Sequence, residues 1–345
     1  MSKRSSGGVA VIAVLIGVIA VAVGTAAIML TDSSRIEDKK NMPVMVESVA
    51  DSSSLAESEV DEPELPPEPE ALMEYPENTA DYVEIKDKDM TADYAILLDS
   101  DENTIVAGKN YNKKMYPASL TKIMTLIVAA ENIEDLQDTY TFTADDIDPL
   151  VEEDASRAGF DAGEEVTAED MMYAAILTSG ADGTVGLANM VAGSEKDFVV
   201  MMNEKAKELG LENTNFENAS GLHGKNHYST CEDMAMILKY AMENDVCREV
   251  LTARKYTTSK TKQHKDGIEL PCILAMRLDG YYVEGGGDII GGKTGFTTEA
   301  KYTLATQLEY EDKNYICVTA KSKGDFVSME DNILIYEKYV PRQGN

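Results

Sequence analysis

The pattern of apolar and polar positions separates an N-terminal apolar run from the rest of the chain. Residues 9–30, VAVIAVLIGVIAVAVGTAAIML, are uncharged and mostly apolar, and a run of this length can cross a bilayer as a helix. Lys3 and Arg4 precede it and Asp32 follows it, which predicts a cytoplasmic N-terminus, residues 1–8, and a single-pass membrane anchor. Small residues near its end leave a cleaved signal peptide, and hence a secreted protein, as the alternative. Both alternatives place the rest of the chain outside the cytoplasm.

The next stretch, residues 31–90, is acidic and rich in proline. It holds 18 Asp and Glu against 5 Lys and Arg, and six of the ten prolines of the chain. Such a segment buries too little apolar surface to order itself, and its like charges keep it extended. We therefore expect a stalk over residues 31–90, followed by a folded catalytic region over residues 91–345.

Within that folded region the periodicity changes from strand-like to helical and back. The first part predicts a β-hairpin, the middle shows helical spacing with Ser or Thr caps, and the last part alternates again before a final helix. These patterns predict an α+β fold in which one antiparallel sheet, built from both ends of the chain, packs against a helical cluster. The predicted elements are a hairpin at 93–110, helices beginning at Ser119, Thr167, Ser194 and Ser229, strands within 285–323 and a helix at 329–340.

Charge and cysteine content narrow the possible functions. Residues 91–345 carry 44 acidic and 24 basic side chains, which argues against nucleic acid as a partner because binding it requires Lys and Arg at the phosphates. The cysteines show no metal-ligand spacing, and the sequence leaves open whether they form disulfides. They are Cys231, Cys247, Cys272 and Cys317.

The segment YPASLTKIMT, residues 116–125, places Ser119 and Lys122 three positions apart at the start of an apolar helix. Side chains at i and i+3 lie on one helix face, so the amine reaches the hydroxyl. A lysine at the root of a buried helix is desolvated, which lowers its pKa and lets it act as a base. A serine needs such a base to become a nucleophile. This pair is the candidate catalytic centre.

Two later segments add polar groups that a catalytic cleft needs. Ser179 lies at a break between two predicted helices, where its hydroxyl can project into a cleft. Lys293, Thr294 and Gly295 follow two glycines at the edge of a predicted strand. They offer a cation, a hydroxyl and a backbone that a substrate can approach closely. The three motifs together favour an enzyme over a fortuitous S-x-x-K.

Over residues 91–340 the sequence resembles the serine D-Ala-D-Ala carboxypeptidases of the low-molecular-mass penicillin-binding group, peptidase family S11. The matching segments are YPASLTKIMT, GGKTGFTTEAKYTLAT and MNEKAKELGLENTNFENASGLHGKNHYST. The resemblance implies a β-lactamase/transpeptidase-like fold and the S-x-x-K, S-x-N and K-T-G motifs of that superfamily. It also implies peptidoglycan pentapeptide stems as substrates, β-lactams as covalent inhibitors, and neither cofactor nor metal.

The resemblance assigns a role to each motif residue. Ser119 is implied as the acylated nucleophile, Lys122 as its base and Ser179 as a proton relay towards the leaving group. Lys293 and Thr294, with Gly295 beside them, are implied to receive the terminal carboxylate of the substrate. The backbone N–H groups of Ser119 and Phe296 are implied as the oxyanion hole.

The chain departs from the family pattern at two places. Where the second motif usually ends in Asn, this chain has Ala181, followed by Asp182 as in the family. Many relatives also continue into a C-terminal β-rich domain and an amphipathic membrane helix. The sequence ends at Asn345 without room for either, so we expect residues 9–30 to provide the membrane anchor.

Three alternatives remain to be weighed. A β-lactamase would need an E-x-x-L-N segment between Ser179 and Lys293, and none occurs. A zinc peptidase would need H-E-x-x-H, whereas His223 and His227 flank Gly-Lys-Asn. A weakened or non-catalytic module that only binds wall peptides or β-lactams is the alternative that Ala181 keeps open.

Overall fold

A computed structural model describes residues 71–86 and 88–342 of the chain. The predicted cytoplasmic N-terminus and anchor, residues 1–30, and most of the predicted stalk lie outside these residues. Within the described part, none of the helices combines the length and the apolar character that a membrane crossing requires.

One six-stranded sheet organises the described residues, and both ends of the folded region contribute to it. Its strands are β1 (Glu77–Glu84), β2 (Tyr94–Asp99), β3 (Thr104–Lys109), β8 (Asp288–Thr297), β9 (Lys301–Tyr310) and β10 (Lys313–Ser322). Their order in the sheet is β1-β3-β2-β10-β9-β8, and every neighbouring pair is antiparallel except β1 with β3, which is parallel. The prediction of a single sheet from both chain ends is therefore confirmed, apart from the direction of β1.

The predicted boundary between stalk and folded region at residue 91 is wrong. Strand β1 lies within the predicted stalk and pairs with β3 from Glu77 to Glu84. Ile85 and Met90 are buried in the apolar cluster on one face of the sheet. An edge strand needs only one hydrogen-bonded neighbour, so its acidic, largely exposed sequence is compatible with a place in the sheet. The folded region thus begins before residue 77.

Nine helices are found among the described residues, and most of them form the predicted cluster on one face of the sheet. Alternation along β2 explains the two-sided packing: Ile96 and Leu98 face this cluster, whereas Ala95 and Leu97 face the C-terminal helix. The helices are α1 (Thr121–Asn132), α2 (Ala144–Glu152), α3 (Ala168–Leu177), α4 (Ala181–Ala192), α5 (Glu195–Glu208), α6 (Cys231–Glu243), α7 (Asp245–Thr252), α8 (Ile273–Arg277) and α9 (Asp325–Tyr339).

The predicted helix caps are present in the structure. Thr167 accepts a hydrogen bond from the backbone N–H of Asp170 at the start of α3, and Thr230 does the same for Asp233 at the start of α6. A side-chain oxygen at this position satisfies one of the free N–H groups of the first turn. Gly210, just beyond the end of α5, has a positive φ of 79°.

Two short two-stranded antiparallel sheets lie outside the main sheet and were not predicted. One pairs β4 (Thr139–Thr141) with β5 (Glu165–Thr167), and the other pairs β6 (Lys255–Thr257) with β7 (Glu269–Pro271). The sequence left open whether the four cysteines form disulfides. In the structure all four are buried, and none of them forms a disulfide bond.

Candidate active site

Ser119 lies in a tight 3₁₀ turn, Ala118–Leu120, that leads directly into α1. Ala118 has a left-handed φ of 50°, a conformation that costs energy for any residue with a Cβ. The turn is held from the sheet, because the Thr303 hydroxyl of β9 donates to the Pro117 carbonyl over 3.1 Å. This strained and tethered turn leaves Ser119 partly exposed at the end of a buried helix.

Lys122 lies one turn further along, with its amine beneath Ser119. Its Nζ is 3.3 Å from Ser119 Oγ and also donates to the Ser220 carbonyl. The side chain is 2% exposed. Burial lowers the pKa of Lys122 to about 7, although the charges of Asp182 and Glu195 act in the opposite direction. Near neutral pH, Lys122 is therefore able to take the Ser119 proton.

The segment after α5 closes this centre from the other side. Thr125 donates to the Ala219 carbonyl over 2.6 Å, and Asn218 Oδ1 accepts from the Gly221 N–H over 2.7 Å. Gly221 has a φ of 85°, and a Cβ there would overlap the Ala118 carbonyl group. The Ser220 carbonyl that binds Lys122 is positioned by these contacts.

The second pair of candidate residues is Ser179 and Lys293. Ser179 lies between α3 and α4 with a left-handed φ of 58°. Lys293 on β8 donates from Nζ to Ser179 Oγ over 3.0 Å and to the Thr294 carbonyl over 2.9 Å. Burial holds the pKa of Lys293 well below its usual range, and the charge of the nearby Lys122 lowers it further. The two lysines thus share one low-dielectric region.

The structure also shows what occupies the second motif where the family has asparagine. Ala181 is the first residue of α4, and its backbone N–H donates to the Ser156 carbonyl over 2.7 Å. Asp182 is 0% exposed, and its carboxylate is fully engaged by backbone N–H groups. The donors are Ala158, Gly159, Phe160 and Gly183, at 2.9 to 3.3 Å.

Strand β8 brings the third motif against the serine turn. A Cβ on Gly295 would lie 2.9 Å from the Ser119 nitrogen, so only a glycine allows this close approach. Thr294 is buried beside it, and Phe296 is 52% exposed with its ring 4.6 Å from that of Tyr302. The residues predicted for the site therefore lie on the Ala118–Leu120 turn with α1, on the α3–α4 junction and on β8. The contacts Lys122–Ser119, Lys293–Ser179 and Gly295–Ser119 connect these elements.

His227 has a structural place beside the Ser119–Lys122 pair. Its Nδ1 accepts from the Glu217 N–H over 3.1 Å, so Nε2 carries the proton and donates to Thr121 Oγ1 over 2.7 Å. Burial lowers the pKa of His227 to about 4. The ring is neutral and fixes the loop that carries Ser220 to the first turn of α1.

One group of side chains with metal-ligand atoms occurs among the described residues, and no sequence motif indicates it. Asp161, Glu164 and His264 bring their ligand atoms within 4.8 Å of one another. The Glu164 carboxylate already accepts from the Asp161 N–H and the Thr261 hydroxyl and contacts His264 Nδ1. The group is a closed hydrogen-bond cluster that shares no residue with the candidate active site.

The sheet lies between a helical cluster and a C-terminal helix, and Ser119 and Lys122 lie at the N-terminal end of α1. This combination defines the penicillin-binding, β-lactamase-like class of serine enzymes. The sequence model of peptidase family S11, described as D-alanyl-D-alanine carboxypeptidase, matches residues 81–324. The chain belongs to this family.

Curated relatives and solved structures agree with that assignment. D-alanyl-D-alanine carboxypeptidase DacF of Bacillus subtilis is 32% identical over 225 residues, 65% of this chain and 56% of the relative. DacC of Escherichia coli is 31% identical over 254 residues, 69% of this chain and 58% of the relative. The chain thus spans little more than half the length of these two proteins.

Among solved structures, the Streptomyces K15 DD-transpeptidase matches with a TM-score of 0.65 and 28% identity, covering 72% of this chain and 97% of that one. A D-alanyl-D-alanine carboxypeptidase from Mycobacterium tuberculosis matches with a TM-score of 0.63 and 25% identity, covering 74% and 93%.

The close approach of Gly221 to the serine turn predicts an unusually costly substitution. Gly221→Ala should lower the free energy of unfolding by about 3 kcal/mol, from roughly 1 kcal/mol for the left-handed backbone and roughly 2 for overlap with Ala118. Gly193→Ala is the matched control, because Gly193 has a φ of 75° but open space around a Cβ. It should cost only about 1 kcal/mol. Urea unfolding measures both, and equal costs would contradict the packing argument.

Proposed function

We propose that the protein is a serine D-alanyl-D-alanine carboxypeptidase that removes the terminal D-Ala from peptidoglycan stem peptides. The observation that carries this proposal is the buried Lys122 amine, 3.3 Å from Ser119 Oγ, with a pKa of about 7. A neutral amine at this distance activates a serine without a histidine. Family membership supports the same substrate class, since the curated relatives carry this activity in their names.

The proposed acylation step uses the first two motifs. Ser119 Oγ attacks the carbonyl carbon of the penultimate D-Ala while its proton passes to Lys122. The backbone N–H groups of Ser119 and Phe296 stabilise the resulting oxyanion. The carbon–nitrogen bond then breaks, and a proton relayed through Ser179 reaches the leaving D-Ala nitrogen. Water hydrolyses the acyl-enzyme and restores Ser119. β-Lactams inhibit by forming the same ester without rapid hydrolysis.

Lys293 and Thr294 are proposed to receive the C-terminal carboxylate of the substrate. Lys293 is desolvated, so its charged form is disfavoured. An incoming carboxylate favours that charged form and compensates part of the desolvation. Ser179, which accepts from Lys293, lies next to the departing D-alanine in this arrangement.

We further propose that residues 9–30 anchor the protein in the cell membrane with its catalytic region on the outer side, or alternatively act as a cleaved signal peptide. The apolar run and the preceding Lys3 and Arg4 support this. Residues 31–70, the part of the predicted stalk that precedes the described fold, then act as an acidic spacer towards the cell wall.

Replacing the nucleophile tests the proposed function directly. Ser119→Ala should abolish both covalent labelling by a fluorescent penicillin and release of D-alanine from a synthetic pentapeptide, because no other group forms the ester. Ser100→Ala, in the turn between β2 and β3, is the control and should keep full labelling. Labelling of purified, folded Ser119→Ala would contradict the assignment.

The lowered pKa of Lys122 predicts the pH dependence of acylation. The neutral amine is the base, so the rate constant for penicillin acylation should be constant above pH 8 and fall as pH drops through 7. At pH 5 it should be about a hundredfold below its plateau, since about one lysine in a hundred is then neutral. Lys122→Arg keeps the positive charge without a usable base and should be inactive throughout. A flat profile between pH 5 and 8 would exclude Lys122 as the base.

Ala181 predicts a gain of activity on substitution. Asp182 is fully engaged and cannot replace the missing amide, so Ala181→Asn should add one or two hydrogen bonds to the substrate. At ~0.5–1.5 kcal/mol each, this is roughly a three- to hundredfold rise in kcat/KM for D-alanine release. Ala181→Leu has the same number and branching of side-chain heavy atoms without the amide and should give no rise. No gain with Asn would show that the site does not use an amide here.

A further inference from the structure

A cavity of about 300 Å³ with an unusual lining lies beside the candidate active site. Its wall contains three lysines and three tyrosines and a single acidic residue, Glu299. The lysines are Lys114, Lys225 and Lys321, and the tyrosines are Tyr94, Tyr116 and Tyr228. The whole chain carries 62 acidic against 31 basic residues. A wall with this excess of lysine is therefore opposite in charge to the rest of the protein.

The ammonium groups of these lysines are only partly neutralised by the protein. Lys114 Nζ lies 3.7 Å above the Tyr228 ring, and Lys321 Nζ is 3.7 Å from Asp93. Lys225 is exposed and has neither a hydrogen-bond nor an ion-pair partner within the described part of the chain. Glu299 lies 4.0 Å from His223 Nδ1. Such an arrangement attracts an anion, which relieves the repulsion between like charges.

Three segments connect the cavity to Ser119. The first runs from Tyr116 to Ser119. The second begins at Gly221, which packs on the Ala118–Leu120 turn, and ends at Lys225. The third begins at Gly295, which packs against Ser119, and ends at Glu299. Three extended residues span at most ~11 Å, so the Tyr116 wall lies within that distance of the nucleophile. A peptide acylating Ser119 covers the same distance with the two or three residues that precede its scissile bond.

The direction of Tyr116 also relates the cavity to the active-site entrance. Its ring is 37% exposed and meets the His223 ring edge-on at 4.8 Å. His223 follows Gly221 and the exposed Leu222. A bound peptide that leaves Ser119 on this side would pass Leu222 and His223 before its next residues reach the lysines.

We propose that this cavity is an anion subsite that binds a free carboxylate of the stem peptide, two or three residues before the scissile bond. The tyrosine rings pack against the peptide chain, and Lys114 and Lys225 pair with the carboxylate. The inference rests on the proposed carboxypeptidase function and adds the part of the substrate that the enzyme selects. It assigns Lys114 and Lys225 as specificity-determining residues with no part in the bond-making steps.

The test compares two synthetic peptides ending in D-Ala-D-Ala on the full chain. Both contain a γ-linked D-glutamate two residues before the scissile D-alanine, with a free carboxylate in one and a carboxamide in the other. The parent should prefer the free acid in kcat/KM. Lys225→Gln should reduce that preference roughly fivefold, and Lys114→Gln with Lys225→Gln by more than tenfold. Turnover of the amidated peptide should stay within about twofold of the parent.

Lys262→Gln is the matched control, because Lys262 is an exposed lysine in the segment between β6 and β7. It should leave the preference unchanged. Added salt should weaken the preference in the parent and leave the double variant unaffected, as expected for exposed charges. The proposal is overturned when the parent shows no preference, when the double variant keeps it, or when both peptides lose turnover equally.

A binding measurement separates this proposal from the proposed function. If the parent hydrolyses neither peptide, carboxypeptidase activity is refuted. Kd values for both peptides on Ser119→Ala still report on the cavity in that case. Tighter binding of the free acid that is lost in the Lys114 and Lys225 double variant supports the subsite. Equal binding of both peptides refutes the subsite. Binding of inorganic phosphate that is lost in the double variant would then identify a phosphate site instead.

Discussion

The desolvated amine of Lys122 is the interaction on which the rest of the site depends. The difference between the usual lysine pKa of 10.5 and about 7 corresponds to roughly 5 kcal/mol of lost preference for the charged form. The fold sustains this because α1 is buried from Thr121 to Ala129, and the Ser220 carbonyl, which accepts from the amine, fixes its position. The nearby acidic residues, Asp182 and Glu195, make other hydrogen bonds instead of an ion pair with Lys122.

A second buried lysine raises the electrostatic cost of this arrangement. Lys293 comes from a strand near the other end of the chain, and its charge and that of Lys122 disfavour each other. Ser119 Oγ and Ser179 Oγ each accept from one of the two amines. In the proposed mechanism, a substrate carboxylate at Lys293 favours the charged form of this amine and compensates part of its desolvation.

Local patterns predicted those features that depend on neighbours in sequence. The Ser119–Lys122 spacing, the Thr167 cap and the 93–110 hairpin all involve residues within a few positions of one another. Strand β1 was missed because its sequence lacks alternation and it is stabilised by β3 rather than by its own composition. The convergence of Ser179 and Lys293, 114 residues apart, followed from the family resemblance, since no local signal encodes it. The basic cavity could not be predicted for the same reason, because its lysines come from distant segments.

These dependencies link catalytic competence to complete folding. Lys122 is desolvated only when α1 is packed against α3 and α4 and when the loop carrying Ser220 has closed over it. Gly221, Gly295 and Thr303 all contact the serine turn from other parts of the chain. In a state in which these contacts are lost, the amine would be hydrated and protonated near neutral pH, and Ser119 would lack the proposed base. The proposed nucleophile is thus inert until the helical cluster and the sheet are joined, so its reactivity reports on the contacts between them.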